Sequence, residues 1–319
     1  MSSCPICLGD LAADETYHSA CIESLFGTSV LPAFEIDLAR LYALAASKMA
    51  GKMSISGAQE KVSLTLSSDR RTLEVSATGG RYILKPETSR FSSVPQNEHV
   101  TMCMAKLVSI ETPPFGLFRQ TGGEAPYIIK RFDRSDDGTK LQVEDFCQLA
   151  EKRVRDKYDG SAELCVKLLR KYATEPLIEI QKLYRLILFS WWMANGDMHL
   201  KNFSLLTTSD GIRRLSPAYD LVCTRLVIPD DTLAMPVGGR DKRFTRRKWL
   251  EFAEYCQIPE KAAKRLIASQ VEALEPALQL ITASFLPDQM QEQYAAIIRE
   301  NSAALVRPDE TNRPGTACD

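Results

Sequence analysis

Asp197 and Asn202 stand five positions apart in the run NGDMHLKNF (195–203), and Asp220 follows eighteen positions later in PAYDL (217–221). A carboxylate that can take a hydroxyl proton, followed by an amide oxygen and a second carboxylate that can hold a divalent cation, is the oxygen set that phosphoryl transfer requires. The same chemistry needs cationic groups for the phosphates. Lys85 ends the strand pattern Arg81-Tyr82-Ile83-Leu84, and Glu98 lies thirteen residues further on in a helical pattern. An ion pair between them would aim the ammonium at phosphate oxygens. Ser54, Ser56, Gly57 and Ala58 precede another strand pattern, and their small side chains would let backbone N–H groups approach those oxygens closely. Each signal alone has a plainer explanation: an Asx-capped turn for Asp197 and Asn202, a solvated strand-end lysine, a Ser-Gly turn. Their serial order is what points to a common site.

The elements that must position these groups follow from periodicity. VSLTL, TLEVSA, GRYILKP and APYIIKRF, between Ser54 and about residue 130, are short strand candidates separated by Ser, Asp and Gly clusters. Residues 94–108 fit a helix inserted among them, and residues 35–49 a helix ahead of them. After residue 133 helical patterns predominate, at 141–156, 161–173, 176–194, 245–256, 260–286 and 288–305. They are interrupted by a hairpin signal over 203–222 that would set Asn202 and Asp220 at opposite ends of two strands burying Leu205, Leu206 and Leu215. The expected organisation is a segment 1–30, a β-rich lobe 31–135, a helical lobe 136–306 and a disordered polar tail 307–319.

Length and composition are compatible with a self-sufficient two-lobed chain. The 319 residues are 45% hydrophobic and 25% charged, and 40 basic against 41 acidic residues argue against a chain built to coat nucleic acid or an anionic membrane. The longest apolar run, 186–194, is far below the roughly 18 residues of a membrane span. No export signal is visible, and cysteines scattered singly at 103, 147, 165, 223 and 256 suit buried thiols in a reducing cytoplasm.

Cys4, Cys7, His18 and Cys21 have a different arithmetic, C-x2-C then H-x2-C. Paired short spacings let two turns each deliver two ligands to one tetrahedral Zn²⁺, giving a structural knuckle that fixes a segment without its own core. The other reading is four unlinked side chains, and a catalytic zinc is disfavoured because four protein ligands leave no open position. The basic stretch 240–248 reads as a solvated helix entry, or as a contact for tRNA, DNA or an acidic partner. Trp191 and Trp192 read as core, and Cys318 lacks the neighbours that would activate a thiol.

Taken in order, SISGAQEKVSL (54–64), ILKP (83–86), NEH (97–99), KRFDR (130–134), VEDFCQ (143–148), NGDMHLKNFSLL (195–206) and PAYDLV (217–222) resemble the HipA-like serine/threonine kinases, above all the short HipT type, over about residues 50–305. The match begins well inside the full-length family pattern, so the small subdomain preceding the kinase core is expected to be missing; in the short type that piece resembles a separate partner. The resemblance implies an α+β, bilobal protein-kinase-like (HipA-like) fold with a small β-rich N-lobe and a helical C-lobe. It implies an ATP- and Mg²⁺-dependent serine/threonine protein kinase, the toxin of a bacterial toxin–antitoxin module, acting on an aminoacyl-tRNA synthetase. HipS-like and HipB-like antitoxins are the implied partners, with DNA reached only through the antitoxin complex and no membrane.

By the same resemblance Asp197 is the catalytic base, Asn202 and Asp220 hold Mg²⁺, Lys85 contacts phosphates, and Lys130 and Phe132 present hinge backbone to adenine. His199 and Lys201 flank the catalytic loop, His199 more as a loop-orienting imidazole than as a proton carrier. Ser54 or Ser56 is the implied autophosphorylation site, where added negative charge would repel nucleotide. The rival expectations are a catalytically silent kinase-fold binding protein and a small-molecule phosphotransferase.

Overall fold

The computed structural model describes residues 2–34, 61–76, 78–88, 90–119, 125–135 and 138–307. The expected helix over 35–49, the Ser54–Ala58 loop and most of the expected tail lie outside them.

Short apolar runs, YILK, FGL and YIIK, together with the alternating VSLTL, build the N-lobe sheet. β1 (Ala33–Phe34), β2 (Val62–Leu66), β3 (Thr72–Val75), β4 (Tyr82–Lys85), β5 (Phe115–Leu117) and β6 (Tyr127–Lys130) lie in the order β1-β3-β2-β4-β6-β5. β4 and β6 are antiparallel with Leu84 opposite Ile128, Ile83 opposite Ile129 and Lys85 opposite Tyr127. Because side chains alternate across a strand, Tyr82, Leu84 and Ile128 face one side of the sheet while Ile83, Lys85 and Ile129 face the other. The first face is covered by the N-terminal knuckle and its helix α1 (Ser19–Phe26): Ile6, Tyr17, Leu25 and Phe26 share a buried cluster with Leu64, Tyr82, Leu84 and Phe118. The knuckle therefore has a core after all, borrowed from the sheet.

α2 (Val94–Leu107) joins the lobes and is almost wholly buried. The C-lobe begins with β7 (Gln142–Asp145) and the one-turn α3 (Phe146–Leu149), followed by α4 (Ala162–Tyr172) and α5 (Pro176–Trp192). The hairpin β8 (Ser204–Thr207) and β9 (Arg213–Leu215) comes next and completes a second sheet, β7-β8-β9. α6 (Arg246–Tyr255), α7 (Glu260–Glu272), α8 (Leu274–Ala283) and α9 (Asp288–Val306) close the lobe. Leu205, Leu206, Leu215, Trp191 and Trp192 are buried as expected.

Three sequence expectations need correction. Residues 141–156 are not one helix: Asp145 forms a reciprocal capping box with Gln148, which leaves 142–145 extended to pair with β8, and Glu151 in the left-handed region stops the turn. The expected helix 260–286 breaks between α7 and α8, where Pro276 removes a donor and crowds the carbonyl of Glu272. Asp220 does not end a strand; β9 stops at Leu215, and Asp220 sits in the following loop at φ 56°.

Candidate active site

The NEH turn of α2 points three consecutive side chains in three directions, because successive helical residues are rotated by about 100°. Asn97 exchanges two hydrogen bonds with Cys223, its Nδ2 donating to the carbonyl and its Oδ1 accepting from the N–H, both at 2.9 Å. Glu98 accepts from the Lys85 ammonium at 2.5 Å. His99 donates from Nε2 to the Ile6 carbonyl at 3.1 Å. The second partner of Lys85 is Asp220, which also accepts from Lys61 at 3.2 Å. The strand lysine, the helix glutamate and the loop aspartate thus meet at the mouth of the cleft, although 135 residues separate Lys85 from Asp220.

Electrostatics follow from that meeting. Burial alone would raise the Asp220 carboxyl, but the Lys61 and Lys85 ammoniums overcome it and hold its pKa well below the usual carboxylate range. Burial likewise opposes the Lys85 charge, and Asp220 and Glu98 together more than restore it. Glu98, fully enclosed, is lifted above the ordinary range by its burial despite Lys85, and its Oε2 has no hydrogen-bond partner among the described residues.

Asp197 lies on the loop after α5. Asn195 Oδ1 accepts from the Asp197 N–H at 3.0 Å, and the Gly196 N–H donates to Thr224 Oγ1 at 2.7 Å. A Cβ on Gly196 would fall 2.0 Å from Asp231 Oδ2 and 2.5 Å from the Thr232 carbonyl, so only glycine fits. Thr224 follows Cys223, so the loops carrying Asp197 and Asp220 share one brace. Tyr158 donates its hydroxyl to Asp197 Oδ1 and packs edge-on against His199, ring centroids 5.0 Å apart. His199 is buried, neither ring nitrogen has a partner among the described residues, and burial, against the pull of Asp197, lowers its pKa to about 4. Asn202 is buried and accepts from the His199 N–H at 3.2 Å. Lys201 is held at 2.5 Å by Asp145, the residue that caps α3.

Between the lobes, a cavity of about 230 Å³ is lined by Ile83, Ile129, Val143 and Tyr219, by Lys130 and Phe132 of the interlobe segment, and by Lys61, Lys85 and Asp220 at its polar end. Phe132 packs on Tyr219 with the rings tilted by 31° and their centroids 5.5 Å apart, and the Tyr219 hydroxyl donates to the Lys201 carbonyl at 2.9 Å. Lys85, Lys130, Phe132 and Asp220 are thereby gathered around one space, Glu98 stands behind Lys85, and Asp197, His199, Lys201 and Asn202 lie on the adjoining loop. Ser54, Ser56, Gly57 and Ala58 lie outside the described residues.

Lys61, Asn97 and Asp145 lie within segments that the sequence singles out but carry no assigned role there, and Lys157 and Tyr158 are not singled out at all. Burial, opposed by Asp197 and aided by Lys201 and Lys61, lowers the Lys157 pKa. Asp145 carried a readable sign, the D-x-x-Q cap; the others become visible only through tertiary contacts. The basic stretch 240–248 is partly neutralised at the start of α6, where Arg247 and Lys248 both pair with Glu251, and Phe244 stacks on Trp249 at 5.1 Å.

At the N-terminus, the ligand atoms of Cys4, Cys7, His18 and Cys21 all lie within 4.8 Å of one another.

Comparison with known proteins places this arrangement. The HipA-like C-terminal domain model matches residues 53–278. "Putative kinase Y4mE" of Sinorhizobium fredii is 30% identical over 242 residues, 71% of this chain and 56% of that protein. A "Putative kinase" of Haemophilus influenzae is 26% identical over 266 residues, 74% of this chain and 76% of that protein. The chain spans little more than half the length of the Sinorhizobium relative. Among solved structures, the Shewanella oneidensis HipA, in complex with HipB and operator DNA, superposes with a TM-score of 0.65 at 20% identity, covering 80% of this chain and 66% of that one. The Helicobacter pylori proinflammatory kinase CtkA gives a TM-score of 0.50 at 11% identity, covering 70% and 87%. The fold is thus the expected bilobal α+β one, and with the motifs in their cleft and a family model matched over more than half its length, the chain belongs to the HipA-like C-terminal domain family.

Proposed function

We propose that the chain is an ATP- and Mg²⁺-dependent protein kinase that phosphorylates serine or threonine. The observation that carries this reading is Lys85, 3% exposed, held between Glu98 and Asp220 at the polar end of an interlobe cavity otherwise lined mainly by apolar and aromatic side chains. The cavity suits a flat heterocycle beside the Lys130–Phe132 backbone. Asp220, ionised throughout the physiological range, and Asn202 supply the hard oxygen donors that Mg²⁺ takes. When bound, Mg²⁺ would neutralise charge on the phosphates. Asp197, oriented by Asn195 and Tyr158, would accept the substrate hydroxyl proton, and Lys85 would hold phosphate oxygens. The neutral His199 would keep the loop packed against Tyr158 and Asn202 without carrying a proton at neutral pH.

The family and the motif order further support a toxin of a toxin–antitoxin module working in the cytoplasm on an aminoacyl-tRNA synthetase. HipS-like and HipB-like proteins would be its antitoxins, and autophosphorylation would occur at Ser54 or Ser56. The Cys4, Cys7, His18 and Cys21 set is read as a structural Zn²⁺ site, three thiols and an imidazole being the donors of that ion.

The test is incubation of the full chain and its Asp197→Ala variant with labelled ATP and Mg²⁺ in cell lysate, followed by peptide mapping. Protein-borne label on serine or threonine that requires Asp197 is expected. Equal labelling by both chains, or label confined to a small metabolite, would overturn the protein-kinase reading.

A further inference from the structure

The four donors at the N-terminus already stand at metal-site spacing. In a tetrahedral zinc site a ring nitrogen and a thiolate sulfur are about 3.5 Å apart. His18 Nδ1 lies 3.3 Å from Cys7 Sγ and 3.9 Å from Cys21 Sγ. His18 Nε2 is 3.0 Å from the Asp10 carbonyl, which can only accept, so the proton resides on Nε2 and Nδ1 presents its lone pair to the sulfurs. A backbone carbonyl fixing the tautomer of a ligating imidazole is the usual support of such a site. The Gly9 N–H points at Cys7 Sγ, 3.4 Å away, and Leu8 N–H to Cys4 carbonyl, at 2.9 Å, closes the turn that brings Cys4 and Cys7 together.

The two residues between those cysteines are the ones that touch the N-lobe backbone. The Pro5 carbonyl accepts from the Leu117 N–H at 2.8 Å, on the β5 edge of the sheet. The Ile6 carbonyl accepts from His99, the residue next to Glu98. Ile6 itself sits where Gly116 has no side chain; a Cβ there would be 2.7 Å from Ile6 Cγ1. Tyr17, just before the ligand His18, donates its hydroxyl to the Leu117 carbonyl at 3.2 Å and accepts from the Arg119 N–H at 2.8 Å. The metal turn is thus continuous with contacts to both the edge strand and the helix that presents Glu98 to Lys85.

We propose that Zn²⁺ held by Cys4, Cys7, His18 and Cys21 acts as a brace of the catalytic cleft. It fixes the Pro5–Ile6 backbone against β5 and α2 and, through His99, keeps Glu98 on Lys85, a role that rests on the cleft being the phosphoryl-transfer centre. Metal loss would release the turn and loosen α2 while leaving the helical lobe folded.

The experiment uses the full chain, with zinc content measured after purification and again after stripping with a zinc chelator in the presence of Mg²⁺. Hydrogen–deuterium exchange of peptides spanning Val94–Leu107 and Phe115–Leu117 is the primary readout, and ATP-dependent labelling the second. One zinc per wild-type chain is expected, with none in Cys7→Ser. Stripping should speed exchange in those two segments but not in α9, reduce kcat/KM for ATP about tenfold, and be reversed by zinc. Ile6→Ala should keep its zinc and reproduce the faster exchange. A chain that takes up no zinc, unchanged exchange on stripping, or loss of protection throughout the helical lobe would each overturn the brace. If wild type labels no more than Asp197→Ala, the kinase reading fails by itself, and exchange still decides whether the metal holds α2.

Discussion

The interlobe cleft and the N-terminal knuckle lie on opposite faces of one sheet, and each gathers polar side chains by a different route. In the cleft, Lys61, Lys85, Glu98 and Asp220 come from four separate segments and satisfy one another's charges. In the knuckle, four donors from an eighteen-residue stretch converge with no carboxylate or ammonium among them, a set that a cation would join. β4 is a common wall, with Leu84 facing the knuckle and Lys85 the cleft, and α2 touches both sides through His99 and Glu98.

The largest effect that would break this contrast is expected on the cleft side. Asp220→Ala should abolish phosphoryl transfer and, by stranding a buried ammonium with Glu98 alone, cost about 3 kcal/mol in urea unfolding. A variant that stays active and fully stable would show that the charges are not interdependent. Next comes pH, acting through His99 at the junction of the two regions. Burial, opposed by the Ile6 carbonyl and aided by Lys106, lowers its pKa to about 4 from an ordinary 6.5. The unfolded chain therefore takes up the proton first, and this contribution to stability, complete above pH 6.5, declines as pH falls to 4, by roughly 3 kcal/mol in all. Denaturant midpoints from pH 7 to 4 should fall less steeply in His99→Gln; an identical slope would remove His99 from the account.

A smaller effect tests the knuckle side alone. Gly116→Ala would press on Ile6 and should cost about 1–3 kcal/mol by overpacking, with Asp197 and its loop untouched; a thermal midpoint equal to wild type would show that the contact is loose. The smallest is Tyr158→Phe. Loss of one hydrogen bond to Asp197 from a 40% exposed side chain should change stability by less than about 0.5 kcal/mol and kcat by less than about tenfold. A loss as deep as that of Asp197→Ala would make Tyr158 a principal catalytic group.

How much could be read beforehand follows the same division. The clustering of Cys4, Cys7, His18 and Cys21 is legible because the four lie close in sequence, and so is the pairing of Lys85 with Glu98, thirteen residues apart across a strand and a helix. The hairpin β8–β9 and helices α2, α4, α5 and α9 followed from periodicity. Apolar period alone misread residues 141–156, although the D-x-x-Q cap marks where the helix starts. Tyr158 on Asp197, Asn97 on Cys223 and Ile6 in the space left by Gly116 join residues 39, 126 and 110 positions apart. No local pattern encodes such contacts, because the intervening elements set them.

In the proposed mechanism Asn202 and Asp220 would hold a divalent ion for a nucleotide bound beside Lys85. Diffraction from crystals grown with a non-hydrolysable ATP analogue and Mn²⁺, read at the manganese edge, tests it most directly. The account predicts manganese about 2.0–2.2 Å from the Asn202 amide oxygen and the Asp220 carboxylate, with adenine between Ile83, Ile129 and Val143. Manganese distant from both residues, or nucleotide lodged instead in the cavity of about 540 Å³ beside Gly196 and Phe244, would contradict it.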